Sequence, residues 1–265
     1  MIKFEETEVV GWRHVIRGAR NPMNSWNKMD SIFCNNQPCD ECKYYDEPNC
    51  PVVDSYIDGV VIHGEIGPND HDLMMRLAHG GPVHAKYRRM ITVYVDITAP
   101  LYWWKEFDTY KVGTVANSCS TMHKIHAKEF TLDDFSCEDL WHVDHSIEDY
   151  ISDHKDKGEN YWAVQNPLHV MNIVIGTLNY YREQYLKNKE KKDWKQMIQL
   201  LPTSYNQKRT IMLNYEVLAN IYHSRKNHKL DEWHKFCDWI ESLPYSEIIT
   251  KYKPVYADTT KEEQQ

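Results

Sequence analysis

With 265 residues and a formal net charge of −8, the chain is long enough for one large domain or two small ones. Its hydrophobic content of 42% is ordinary for a soluble protein, and no apolar run reaches the roughly 20 residues that a membrane-spanning helix needs. The acidic balance argues against broad nucleic-acid binding, which requires a basic footprint, but a small anion held by a few arginines stays open.

The first residues, MIKFEETEVV, lack the basic start and apolar centre of a signal peptide, so a cytoplasmic location is expected. The stretch EVVGWRHVIRGARNPMNSW begins strand-like and continues as a basic segment. Arg13 and Arg17, four apart, share a face if it is helical, and Asn21-Pro22 ends it. Residues 31–53 form a Cys-rich insertion. Without a secretory signal its cysteines are not expected to form disulfides. Cys39 and Cys42 make a C-x2-C pair that Cys34 and Cys50 complete to four candidate zinc ligands. The other reading is a polar loop with free thiols.

DGVVIHGEIG is a second candidate strand, closed by Gly67-Pro68. DHDLMMRLAHGG suits a helix capped near Asn69 or Asp70 and stopped by Gly80-Gly81. In ITVYVDIT, Ile91, Val93, Val95 and Ile97 alternate with Thr92, Tyr94, Asp96 and Thr98, the period of a half-buried strand. Ala99-Pro100 then opens a short aromatic helix over Leu101 to Phe107. A run of small polar residues follows (Thr114, Asn117, Ser118, Ser120, Thr121) and reads as a loop presenting a site on a rigid scaffold. Among Asp144, Glu148 and Asp149, His142, His145 and His154 read as a solvated helical face. Leu168, Met171, Ile175, Leu178 and Tyr185 recur at helical spacing, ended by the surface turn KNKEKKD. Ile211, Tyr215, Leu218, Tyr222 and Arg225 do the same, and Arg225 sets a charge at the edge of that stripe where a planar anion could be gripped. A last helix runs from Asp231 to Leu243, stopped by Pro244. The chain has 18 Tyr and 9 Trp against 6 Phe. These amphipathic rings suit ligand pockets and wet interfaces, or a core that happens to use them.

Two blocks together resemble the flavin-dependent thymidylate synthases. In that family a strand leads into Ala-Pro, an aromatic helix, and the motif R-H-R-x-x-S-x-N-E-x-S-x-R-Y. Here Ala99-Pro100 is followed at that spacing by Thr109-Tyr110-Lys111 in place of Arg-His-Arg. Thr114 stands at the first Ser, and Asn117 lies near the Asn-Glu pair. Ser120 fits the second Ser with one residue inserted, and Met122-His123 takes the place of Arg-Tyr. The second block of the family is Leu-Pro followed by Asn, Asn and Arg, reproduced without gaps by Leu201-Pro202, Asn214, Asn220 and Arg225. His228 and Trp233 echo its trailing His and Trp.

The resemblance implies an α+β fold, a twisted mixed or antiparallel sheet flanked by helices, over residues 1–253 as one domain, with a polar tail at 254–265. It implies reductive methylation of dUMP to dTMP with FAD as hydride carrier and methylenetetrahydrofolate and NADPH as co-substrates. It further implies a homotetramer with sites between subunits. Ser120 and Arg225 would act in catalysis. Lys111, Thr114, Asn117, Asn214 and Asn220 would hold the cofactor. Arg88 and Arg89, or the Arg13, Arg17 and Arg20 group, would supply the positive charge that Thr109, Tyr110 and Met122 do not. Two other readings keep the same scaffold: a relative with another nucleotide or flavin reaction, and a non-catalytic binding or assembly protein.

Overall fold

The computed structural model describes residues 2–33, 64–141, 145–154 and 165–251. The candidate zinc ligands Cys34, Cys39, Cys42 and Cys50, and His142, lie outside the described residues.

Strand β1 (Lys3–Val10) turns through Gly11 into helix α1 (Trp12–Arg20). Gly11 has φ 103°, and a Cβ there would collide with the Met90 carbonyl, so only glycine fits. Helix α1 buries Trp12, Val15, Ile16 and Arg20, the i, i+3, i+4, i+8 stripe of an amphipathic helix. Arg13 and Arg17 lie on its exposed side. Strands β2 (Ile32–Phe33) and β3 (Gly64–Glu65) pair antiparallel.

Helix α2 (Pro68–His79) starts earlier than its sequence suggests, with Pro68 in the first turn. Asp70 is not its cap. The Asp30 carboxylate accepts the Asn69 and Asp70 N–H groups at 2.9 and 3.0 Å, meeting the orphan donors of the first turn. Asp70 is fully buried and accepts from Arg20 Nε (2.5 Å), Ser31 Oγ (2.6 Å), Ser31 N (2.9 Å) and Asp30 N (3.1 Å).

After a short 3-10 turn at Ala85–Met90 comes β4 (Thr92–Pro100). Ile91, Val93, Val95, Ile97 and Ala99 are all buried, as the alternation requires. Helix α3 (Leu101–Phe107) follows. Its first amides, of Leu101 and Tyr102, donate to the carbonyls of Tyr205 and Thr203 at 3.0 Å. The polar run beyond it is not all loop: it forms β5 (Val115–Ser118) and the short helix α4 (Thr121–Lys124). Every β5 side chain is exposed, so the strand is made by backbone pairing alone and leaves no apolar period to read.

Helices α5 (His145–His154), α6 (Pro167–Asn188) and α7 (Lys191–Leu200) come next. Strand β6 (Asn206–Asn214) leads into α8 (Tyr215–Arg225), and α9 (Asp231–Ser242) and α10 (Glu247–Thr250) complete the described chain. Ile211 therefore belongs to a strand, where it alternates with buried Leu213. The four longer strands form one antiparallel sheet in the order β1-β4-β6-β5. Helices flank it, the α+β architecture expected from the sequence. Among the described residues no helix is long and apolar enough to cross a membrane.

The chain divides into two compact units. The described residues of one are 98–106, 118–141, 145–154 and 165–208. Its core joins Ile125, Phe130 and Phe135 to Met171, Ile175 and Leu178 of α6 and Met197 of α7. Asn179 clamps the Phe130 backbone from both sides, donating to its carbonyl (2.9 Å) and accepting its N–H (2.8 Å). The described residues of the other unit are 2–33, 64–97, 107–117 and 209–251. Trp12 packs edge-on against Tyr215 there, and Phe107 against Phe236. Arg88, fully buried, donates to Glu216 Oε2 at 2.6 Å and to the Ile248 carbonyl at 3.1 Å.

Candidate functional site

Helix α8 is apolar on most of its circumference. Tyr215, Val217, Leu218, Ala219 and Ile221 are buried, while Asn220 is exposed. Its N-cap is Asn214, whose Oδ1 accepts the Val217 N–H at 3.1 Å. Its last residue is the half-buried Arg225. The Arg225 guanidinium lies 4.8 Å from the centre of the Trp233 ring and 5.7 Å from that of Tyr110. Its Nε donates to the Tyr110 hydroxyl at 2.8 Å. Cation–π attraction and a hydrogen bond thus fix a planar cation between two rings. The rings are themselves braced. Trp233 is fully buried and edge-packed by Phe236, Tyr110 and His228, and the His228 Nδ1 accepts the Leu230 N–H at 3.1 Å.

The loop after α3 runs antiparallel to α8. Tyr110 meets the C-terminal end of the helix at Arg225, and Gly113 meets its start at Asn214 and Val217. Gly113 has φ 77° and lies so close that a Cβ would sit 2.9 Å from Asn214 Nδ2 and 3.1 Å from Val217 Cγ2. This fit lays the exposed Lys111 and the half-buried Thr114 along α8. The Thr114 Oγ1 is buried without a hydrogen-bond partner, and a buried hydroxyl in that state is a donor and acceptor awaiting a ligand or water. A point charge, an orphan hydroxyl and an amide-capped helix start suit the phosphate and carbonyl edges of a flavin nucleotide.

The structure thus brings Lys111, Thr114, Asn214 and Arg225 to one face of one unit. Asn117 is exposed on β5. Ser120 belongs to the other unit, where its Oγ accepts the His123 N–H at 3.1 Å as the cap of α4. Arg88 is committed to Glu216 and Ile248, and Arg20 to Asp70, so both hold fold elements; Arg89 is exposed. Met122 gives its carbonyl to Trp194 Nε1 at 3.1 Å. Cys119 is an exposed free thiol whose carbonyl accepts from Gln207 Nε2. The Cys237 thiol is pushed up to about 12 by burial and then by the neighbouring Asp238 and Glu241, so it is a packing group and no nucleophile. Among the described residues, no group of three or more His, Cys, Asp or Glu side chains is placed to hold a metal ion. The role of Tyr110 was not legible: it carries no motif letter, and only the fold sets it beside Arg225.

No protein-family model and no curated protein sequence matches this chain. Solved structures do. A thymidylate synthase X from Helicobacter pylori, with FAD and dUMP, superposes with a TM-score of 0.53 at 12% identity, over 94% of this chain and 95% of that one. A flavin-dependent thymidylate synthase from Helicobacter pylori, complexed with FAD and dUMP, gives a TM-score of 0.54 at 13% identity, over 93% and 97%. At that identity the likeness is one of fold: the chain has the architecture of a flavin-dependent thymidylate synthase over nearly its whole length.

Proposed function

We propose that this chain binds FAD and dUMP and carries out reductive methylation of the pyrimidine, with methylenetetrahydrofolate and NADPH as co-substrates and a homotetramer as the working assembly. The observation that carries the reading is Arg225, held between Trp233 and Tyr110 at the end of α8. A guanidinium fixed in this way matches the planar carbonyl edge of a uracil and stabilises negative charge developing on it. Lys111, Thr114, Asn214 and Asn220 would hold the flavin, with Asn117 beside them on β5. Thr114 would give its orphan hydroxyl hydrogen and Lys111 a point charge. Flavin, when bound, supplies the hydride chemistry; the protein binds, orients and polarises. Ser120, at the cap of α4, would act toward the nucleotide.

A relative with a different nucleotide or flavin reaction is favoured by one observation. Met122, at the place of the motif's arginine, contributes only a backbone carbonyl, and that is taken by Trp194. Two experiments separate the readings. Purified protein should carry the absorbance of oxidised flavin and bind dUMP in titration; absence of both defeats the proposal. Failure to rescue a thymidine-requiring bacterium, with flavin present, would select the second reading.

A further inference from the structure

Helix α6, 22 residues long, turns one face to its own unit and leaves the opposite face bare. Met171, Ile175 and Leu178 are buried in the core shared with α7. At about 100° per residue, Ile173, Gly176 and Tyr180 fall on the far side. A side facing only water is normally polar; this one is not. From Pro167 to Tyr181 there is no Asp, Glu, Lys or Arg, in a chain that is 26% charged. Ile173 is 52% exposed, Tyr180 57% and Val170 41%. The Thr177 hydroxyl donates to the Ile173 carbonyl at 2.8 Å, so even that side chain needs no water.

Gly176 is a second, independent observation. Glycine destabilises the middle of a helix, and nothing in this chain requires it there. Its backbone is ordinary α-helix. Apart from the helix's own backbone, among the described residues no atom lies within 4 Å of where its Cβ would stand. The notch it leaves therefore suits a body outside the chain.

His169, Ile173, Gly176, Tyr180, Glu183 and Lys187 are all exposed and follow one another at steps of four, three, four, three and four. That is the spacing of the seam between two paired helices. Against a second copy running antiparallel, the seam matches itself. The ring of each Tyr180 comes opposite the Gly176 notch of the other copy. Each Ile173 comes opposite the stem of the other copy's Glu183, whose carboxylate lies one turn from His169. Lys187 and His169 meet only at the solvent-open ends. A parallel pairing would set Gly176 on Gly176, leaving a void, and would oppose Glu183 to Glu183 and Lys187 to Lys187, two like-charged contacts.

We infer that α6 docks along this seam on α6 of a second copy, antiparallel, with Tyr180 of each seated in the Gly176 notch of the other. A two-fold axis between the copies generates such a self-complementary contact. The inference rests on the assembly proposed above only in that copies associate; that reading names neither the surface nor the direction.

The test uses the full chain. Ile173→Cys combined with Glu183→Cys should give a covalent dimer on mild oxidation, its 173–183 disulfide between copies identified by mass spectrometry. The two positions stand about 15 Å apart along one helix, so they cannot close within a copy. Each single variant should give at least tenfold less dimer, measured above the parent protein. Gly176→Leu should keep the helical circular dichroism, while light scattering shows the particle mass halved. Tyr180→Glu should do the same. A wild-type tetramer whose paired variant forms no 173–183 link, or whose Gly176→Leu form keeps its full mass, overturns the inference and leaves the proposed assembly standing. Single variants that link as well as the pair overturn it too. A wild-type dimer that links at 173–183 supports the inference and removes the tetramer. A monomeric wild type overturns both.

Discussion

Gly113 and Asn214 meet so closely that the loop after α3 and the start of α8 are fitted as one piece. Gly113→Ala must both strain a left-handed backbone and push the Asn214 amide away from its cap position. Asn214→Ala alone should destabilise by about 1 kcal/mol, the usual worth of an N-cap. Gly113→Ala should match or exceed that and should also weaken flavin retention, because Lys111 and Thr114 ride on the same loop. Denaturant unfolding and flavin content of the purified variants check both.

Replacing Arg225 with Lys keeps a charge but loses the planar fork. The nucleotide affinity should fall about 10- to 100-fold, the equivalent of the roughly 1.5–3 kcal/mol of a hydrogen bond to a charged group. Tyr110→Phe removes only the acceptor of the Nε proton and should have a smaller effect in the same direction. Titration of dUMP into each variant measures this; an Arg225→Lys protein with unaltered affinity would remove Arg225 from the site.

The ion pair of Arg88 with Glu216 is almost wholly sequestered. Glu216→Ala removes the carboxylate held 2.6 Å from a fully buried guanidinium and should cost about 3–5 kcal/mol. Replacing both residues by apolar ones of similar volume, Arg88→Met with Glu216→Leu, should recover much of that loss. Chemical unfolding curves for the single and paired variants decide it.

Cys237 makes stability depend on alkaline pH. Its thiol ionises near its ordinary value of 9.0 in the unfolded chain but is raised to about 12 in the folded one, first by burial. The folded state therefore holds the proton more tightly. Its contribution is complete below about pH 9 and is lost as pH climbs toward about 12. Melting temperatures measured across that window should fall less steeply in Cys237→Ala than in the parent protein.

The sequence showed one of the sheet's two inner strands, β4, and most helices plainly, because Ile91, Val93, Val95 and Ile97, or Met171, Ile175 and Leu178, repeat at the period of their element. It concealed β5, whose side chains all face solvent, and it placed Ile211 on a helix because Ile211 and Tyr215 happen to fall four apart across a strand-to-helix junction. Arg225 was visible as a charge ending an apolar stripe. Of its ring partners, Trp233 stood in the same block of the sequence, but Tyr110 did not show: it is 115 residues away, and nothing local couples them.

Asp70 has one more consequence. Ser31, which donates to Asp70, also accepts the Gly67 N–H at 3.0 Å, and Ile32-Phe33 pairs with Glu65-Gly64. The stretches that flank residues 34–63 are therefore tied to each other by described residues alone. Asp70 works as a clasp: one buried carboxylate gathers Arg20 of α1, Asp30 and Ser31 at the first turn of α2, so a single charge keeps two helices and a strand pair in register.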